Sequence, residues 1–295
     1  MQEKIRNFDP RQEMRLQNYE IFHYRDAKLD SVAVHHHDFY EVYLFLGGHV
    51  TYSVEGKNYL LQRGDILLIN PMELHQLRVT SKREAYERYV LWVDPAYLSR
   101  FSTQDTSLTR CFDNTQPGHS NLLRLGHQQW HLVQGMMEEL VQETYGSGYG
   151  QDVAAVGILL RFMVEINRLA MEGQMQPQME VEGKSALISG VLDFINKHYN
   201  ESISLDKIAG EFFISKYHLS HEFNRIVGTS VYRYVVLKRL VIAKQMLGGG
   251  VPPTDVYLNC GFRDYANFYR CFKAEYGISP KQYMEQSRRD RMEKT

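Results

Sequence analysis

Apolar positions along this chain keep one period in its first third and another thereafter. Between 21 and 93 the pattern is one of short strands. The stretch EVYLFLGGHVTYSVEGKNYLLQRGDILLINP (41–71) alternates apolar and polar residues, and EGKN (55–58) and RGD (63–65) supply turn chemistry between runs. Closely spaced strands with Gly-bearing turns predict a sandwich or small barrel. Apolar residues then recur at three- and four-residue intervals: Leu132, Met136 and Leu140 in 128–145, and Val156, Leu160, Met163 and Ile166 in 152–171. That spacing predicts two amphipathic helices, joined by the turn GSGYG (146–150). GQMQPQMEVEGK (173–184) is polar and aperiodic and reads as an interdomain linker, and everything after it is helical in pattern.

The C-terminal segment repeats itself at an offset of 49 residues. Ser215 falls on Asp264, Leu219 on Phe268, Phe223 on Phe272, Gly228 on Gly277, Ser230 on Ser279 and Tyr234 on Tyr283. Ser215 and Asp264 suit helix N-caps. Leu219/Phe223 and Phe268/Phe272 are i, i+4 pairs on a core-facing stripe, and the two glycines suit left-handed C-caps. A shorter helix precedes each of these, with Ser204 capping LDKIAGEFF and Thr254 placed to cap DVYLNC. Helix, tight turn and second helix, twice over, is the helix-turn-helix arrangement, whose second helix enters the major groove. Residues 231–247 form one long connecting helix, stopped by the glycines at 248–250.

Polar residues occupy the outward faces of both recognition helices. On the first, Tyr217, His221 and Asn224 lie away from the apolar stripe, flanked by Lys216 and Ser220. On the second, Ala266, Arg270 and Lys273 do so, flanked by Tyr265, Asn267 and Tyr269. These types suit base edges: Arg reads guanine, Asn reads adenine, and Ala meets the thymine methyl. Lys238 and Arg239 on the connecting helix are expected phosphate contacts. A single polar residue on a helix usually does no more than face solvent. Two caps, two core pairs and two polar faces in one register argue against that here.

Charge strengthens the case. The net charge of the 295 residues is -1, but residues 184–295 hold 17 Lys+Arg against 11 Asp+Glu, while residues 1–183 hold 17 against 24. The basic half suits a polyanion. A composition of 43% hydrophobic and 23% charged residues is that of a globular protein. Three cysteines without Cys-x-x-Cys spacing fit a reducing compartment rather than a disulfide framework. The charged opening MQEKIRNFDPRQEMR has no signal-peptide core and no apolar run is long enough to span a bilayer, so a cytoplasmic protein without membrane contact is expected.

Residues 188–286 resemble the DNA-binding domain of the AraC/XylS family of transcriptional regulators. The resemblance is carried by CGFRDYANFYRCFKAEYGISPKQY (260–283) and by SLDKIAGEFFISKYHLSHEFNRIVG (204–228). It implies a seven-helix domain with helix-turn-helix units at about 205–228 and 254–277, inserting recognition helices into successive major grooves. By position, base contacts fall to Tyr217, Ser220 and His221, then to Tyr265, Ala266, Asn267 and Arg270. Three residues depart from the family pattern: Phe213 stands where the first turn often has Gly, Tyr257 replaces a small residue, and Pro253 replaces an aliphatic one.

The N-terminal segment carries a second cluster. His35-x-His37 puts two imidazoles on one face if the stretch is a strand, Glu41 follows, and His75 closes a later strand. This set is similar to the first motif of the cupin barrel, mapped onto His35, His37, Glu41 and Gly48; Gly64, Pro71 and His75 match the second motif loosely. An effector pocket formed by His35, His37, Glu41, Tyr43 and His75 is the favoured reading. A metal held by His35, His37, Glu41 and His75 comes second, and a purely structural role stays open. His36, on the opposite face, is expected to be structural or exposed.

The expected architecture is multidomain α and β. A cupin-like β-barrel with amphipathic helices (1–172) binds effector and dimerises, a linker follows (173–187), then an all-α domain with two helix-turn-helix motifs (188–286) and a charged tail (287–295). The expected function is effector-controlled, sequence-specific binding of duplex DNA by a homodimer. The effector is a small molecule, a sugar being one class that the resemblance suggests. Activation with RNA polymerase as partner is expected, although the residues leave activation and repression open. Neither a cofactor nor enzymatic activity is expected. The alternative is a cupin-type metalloenzyme, an isomerase or dioxygenase with a helical accessory domain, which leaves the repeat and the basic half unexplained.

Overall fold

The computed structural model describes residues 5–9, 13–71, 73–116, 119–172 and 185–293, and of 185 and 290–293 the backbone alone. The chain divides into two compact units, Met1–Val181 and Glu182–Thr295.

In the first unit, β1 (Tyr19–Asp26), β8 (Tyr86–Val93), β3 (Tyr40–Gly47), β6 (Asp65–Ile69) and β9 (Leu122–Arg124) form one sheet in that order. A second sheet has the order β2 (Ser31–His35), β7 (His75–Ser81), β4 (His49–Val54), β5 (Lys57–Leu60). Every pairing between these strands is antiparallel. The β4–β5 hairpin turns on Glu55 and Gly56, both at positive φ (46° and 81°) as a two-residue type I′ turn requires.

The five-stranded sheet is buried on both faces, and alternation sorts its residues between two cores. Ile21, Val42, Leu44, Leu91 and Val93 pack with α2 (His127–Tyr145) and α3 (Gln151–Met171). Their neighbours Phe22, Tyr24, Tyr43, Phe45, Val90 and Trp92 pack with Val50, Tyr52, Val54 and Leu77 of the second sheet. A short helix α1 (Pro95–Ser99), capped by Asp94, follows β8. The stripe that α3 buries is centred on Ala155, Leu159, Phe162, Met163 and Ile166; Val156 and Leu160 lie at its margin, and Leu132 of α2 is 40% exposed. Met136, Leu140, Met163 and Ile166 are buried as expected, and only the first half of the α3 stripe is centred one residue earlier, because a core-facing band more than a hundred degrees wide admits neighbouring centres.

The second unit holds, among the described residues, seven helices. They are α4 (Ser185–His198), α5 (Leu205–Glu211), α6 (Lys216–Val227), α7 (Val231–Gly248), α8 (Pro253–Asn259), α9 (Tyr265–Tyr276) and α10 (Pro280–Glu293). Residues 185–187, expected in the linker, begin α4, and 173–184 lie outside the described residues. The expected tail begins as the last turns of α10, since SRRDRME contains no helix breaker; 294–295 lie outside the described residues. α7 is buried around most of its girth, with Val235, Val236, Leu240, Val241, Ala243 and Leu247 all in core, because elements of both helix-turn-helix units pack on it.

The repeat is realised in detail. α6 and α9 start and end 49 residues apart, and Ser215 and Asp264 cap them by accepting from the amides of His218 (3.1 Å) and Asn267 (2.7 Å). Gly228 and Gly277 end them in the left-handed conformation. Thr254 is not a cap. α8 begins at Pro253, whose fixed φ and missing N–H suit a first helical position, and the hydroxyl of Thr254 reaches Asp255 instead.

Both leading helices end in the same Schellman turn. Ile214 N–H donates to Ala209 O and Phe213 N–H to Gly210 O; Phe262 N–H donates to Tyr257 O and Gly261 N–H to Leu258 O. The left-handed position is Phe213 (φ 53°) in the first unit and Gly261 (φ 77°) in the second. A residue other than glycine at 213 suggests a different backbone conformation for the first turn, but Phe213 adopts the same left-handed one as Gly261, its ring in solvent. A Cβ at Gly261 would stand 2.6 Å from the carbonyl oxygen of Asn200, so only glycine lets the backbones meet there.

Equivalent substitutions should therefore act with opposite signs. Phe213→Gly relieves left-handed strain and is expected to stabilise the unit by up to about 1 kcal/mol. Gly261→Ala adds that strain to a backbone collision and is expected to cost more than about 2 kcal/mol. Denaturant unfolding of the full chain, followed by far-UV circular dichroism, measures both; equal shifts would rule out the close approach at Asn200.

Candidate functional site: nucleic-acid interface and barrel pocket

The recognition helices hide one side and present the other. Leu219 and Phe223 of α6, and Phe268 and Phe272 of α9, are completely buried. Opposite them Lys216, Tyr217, Ser220, His221 and Asn224 are exposed, Tyr217 to 82%. On α9 Tyr265, Ala266, Arg270 and Lys273 are exposed, whereas Asn267 is half-buried and accepts a weak contact from Cys271 Sγ (3.6 Å). Tyr257, the oversized residue of α8, packs partly into the core and meets the Tyr265 ring edge-on at 5.8 Å.

Ion pairing separates available cations from committed ones. Arg225 is held by Glu222 and Arg233 by Glu275. Lys216 reaches Asp206 at 2.9 Å, an exposed pair of small energetic weight. Among the described residues, Arg270 and Lys273 make no ion pair.

Arg239, expected to meet phosphate, has its guanidinium committed within the protein. Its guanidinium donates to the carbonyls of Tyr199 and Glu201, both at 2.7 Å, and lies over the Phe262 ring. Burial pulls its pKa below the ordinary arginine value. It clamps, from α7, the same 199–201 turn that presses on Gly261.

In the barrel unit, β2 ends at His35, so His35 and His37 do not share a strand. A register shift between Val32 and His35 inserts an extra residue opposite β7. This bulge turns both Val32 and His35 towards the interior despite their odd separation. His37 lies in the connection to β3, stacked on Phe39 at 4.0 Å, and His36 is buried.

His35, Glu41 and Tyr43 line a cavity of about 40 Å³, together with Phe8, Tyr24, Tyr52, Tyr86, Arg88 and Trp92. His37 and His75 adjoin it through Glu41. One candidate ligand atom from each of His37, Glu41 and His75 lies within 4.8 Å of the others. The Glu41 carboxylate accepts from Trp92 Nε1 (2.8 Å) and Tyr52 OH (3.2 Å), with His37 Nε2 at 3.4 Å. Burial alone would raise the Glu41 pKa, but His37 and then Trp92 outweigh it and hold the carboxyl below its ordinary value. Burial lowers His35 to about 4 and His75 well below the usual imidazole range, so both are neutral near pH 7.

Arg88 was missed from sequence. It is 2% exposed, paired with Asp26, and lies over the rings of Tyr86 (4.1 Å) and Tyr24 (4.8 Å). Burial opposes its charge, but Tyr86, Tyr43 and Asp26 raise its pKa on balance. The available signal was YERYVLWV (86–93), in which Arg88 shares the inward parity of Tyr86, Val90 and Trp92.

A ligand-binding barrel joined to a bipartite helix-turn-helix domain defines a transcriptional regulator, and comparison with known proteins agrees. Residues 18–144 match the AraC-like ligand binding domain and residues 208–286 a helix-turn-helix domain. The chain belongs to the AraC family and is a sequence-specific DNA-binding transcriptional regulator with an effector-binding domain. It is 25% identical over 253 residues to the HTH-type transcriptional activator RhaS of Yersinia pestis (strain Pestoides F), covering 85% of this chain and 89% of that one. Identity to RhaS of Escherichia fergusonii is 23% over 254 residues, covering 84% and 86%. Among solved structures, apo ToxT from Vibrio cholerae is similar over 91% of this chain and 97% of its own, at 14% identity and a TM-score of 0.40. No helix among the described residues is long and apolar enough to cross a membrane.

Replacing Arg239 should act on stability rather than on salt-dependent binding. Arg239→Gln leaves at least one clamped carbonyl short of a donor, at about 1–3 kcal/mol per lost partner. Denaturant unfolding is expected to show that loss, while the salt dependence of DNA affinity in the folded variant keeps its slope. A flattened slope at unchanged stability would return Arg239 to the phosphates.

Proposed function

We propose that α6 and α9 read duplex DNA through Lys216, Tyr217, Ser220, His221, Tyr265, Ala266, Asn267, Arg270 and Lys273. The observation that carries this reading is the pair of twelve-residue helices, each capped at both ends, with apolar sides buried and the opposite sides largely exposed. Arg270 is the principal base reader, since it is exposed and uncommitted and its fork matches guanine. Asn267, being half-buried, acts at the margin of the groove.

The chain acts as a homodimer that activates transcription through RNA polymerase when an effector occupies the barrel, and it catalyses no reaction. Its relatives are named as activators, which supports the mode of action. A cavity of about 40 Å³ holds a few waters at most, so an organic effector enters by displacing inner side chains near His35, Tyr43 and Arg88. Such displacement gives the unequal affinity for two conformations on which any switch depends.

Dimerisation is proposed along α2. Exposed Leu132 and buried Met136 line a groove with Glu138, Glu139 and Arg161, and opposite charges beside an apolar patch suit a two-fold contact.

Selection from a random duplex library defines the cognate site for the first test. Arg270→Ala is expected to cost about 1–3 kcal/mol on that site and to relax preference at one base pair. Wild-type affinity and preference in the variant would remove Arg270 from the interface. For the dimer, sedimentation equilibrium should show Leu132→Arg shifting the chain towards monomer at equal concentration; an unchanged mass distribution would exclude this face.

A further inference from the structure

We propose that His37, Glu41 and His75 form a binding site for a divalent transition-metal ion inside the barrel. The inference goes beyond the regulator reading, which needs no metal.

It begins with proton bookkeeping. His37 Nδ1 lies 2.9 Å from Phe39 O, and His75 Nδ1 lies 2.9 Å from Glu73 O. A carbonyl only accepts, so each Nδ1 carries the proton and each Nε2 of a neutral ring presents a lone pair. Both Nε2 atoms are buried and have no hydrogen-bond partner among the described residues. They converge on the Glu41 carboxylate, itself an acceptor. Two imidazole lone pairs and a carboxylate turned towards one another, away from water, lack a positive charge at their centre.

A proton on His37 would satisfy the contact with Glu41 but leave His75 Nε2 bare. One cation satisfies all three. Imidazole nitrogens mixed with carboxylate oxygen favour the class of zinc, iron(II), cobalt(II) and nickel(II) over calcium or magnesium. The 3.4 Å between His37 Nε2 and Glu41 Oε2 matches two ligands each about 2.1 Å from one ion at a tetrahedral angle. The remaining atoms, all within 4.8 Å, close on it by a small side-chain rotation. The supporting shell is in place as well. Backbone carbonyls fix both imidazole tautomers, and Trp92 and Tyr52 orient the carboxylate, as outer partners do in metal sites. Two rigid strands and a ring-stacked turn deliver the ligands, and the cavity beside Glu41 leaves room for water as a further ligand.

The experiment uses untagged, full-length protein stripped with chelator and titrated with Co²⁺. Expected are one tightly bound Co²⁺ per chain, ligand-field absorption, and a thermal midpoint that rises with Co²⁺. His37→Gln and His75→Gln should each weaken binding at least tenfold. A competing surface pair, His127 and His131 on α2 with Nε2 atoms 3.3 Å apart, is removed in the double variant His127→Gln/His131→Gln, which should bind as wild type does. A third measurement leaves every ligand intact. In Trp130→Phe the remaining tryptophan, Trp92, donates to Glu41, and its emission should be quenched stoichiometrically by Co²⁺. The proposal is overturned if wild-type protein binds no Co²⁺, if binding disappears with the surface pair, or if Trp92 emission is indifferent to bound ion.

Discussion

A charged or hydrogen-bonding group taken out of water must find its complement inside the protein, and both units are organised around places where that demand is acute. In the barrel, Arg88 is enclosed by Asp26, Tyr86 and Tyr24, and Glu41 by Trp92, Tyr52 and His37. In the helical unit, Arg239 serves two carbonyls of the 199–201 turn. Each of these groups holds one element against another from another part of the chain. Each would be costly to leave half-paired, which makes the local arrangement specific rather than merely compact.

The same demand separates residues committed to the fold from residues left available. Arg225, Arg233 and Arg239 are committed to internal partners, whereas Arg270 and Lys273 are exposed and carry no ion pair among the described residues. A basic unit of this size has many cations, and charge alone cannot say which of them meet a phosphate or a base. In the barrel the logic inverts. There, among the described residues, the buried Nε2 atoms of His37 and His75 lack hydrogen-bond partners and face one carboxylate, which marks a place where something further belongs.

Much of this was legible from residue order because it rests on local rules. Caps at Ser215 and Asp264, left-handed glycines at 228 and 277, and the Glu55-Gly56 hairpin follow from side-chain and backbone chemistry within a few positions. What escaped depends on distant partners. The inward turn of His35 needs a bulge opposite β7, visible only in the pairing. The internal commitment of Arg239 was hidden because its acceptors lie some forty residues away. Arg88 was passed over because an arginine suggests surface, although its parity within β8 pointed inward. Thr254 lost the capping position to the proline before it, one residue being finer than periodicity resolves.

The duplicated helix-turn-helix units show how one architecture tolerates unequal solutions. The twelve-residue recognition helices superimpose in sequence register, but the second unit has one more residue between its two helices, since α8 ends at Asn259 and α5 at Glu211. Both turns need a left-handed residue at the same hydrogen-bonded position. Where a neighbouring backbone presses on that position, glycine is obligatory; where the side faces solvent, Phe213 is admitted at the cost of local strain. The difference follows from the 199–201 turn, which reaches the second unit and is clamped there by Arg239. The second unit is thereby braced through its turn from outside. The first is braced by other partners, α6 packing against α4 and α7, and Lys207 reaching Glu201 of the same turn at 2.7 Å.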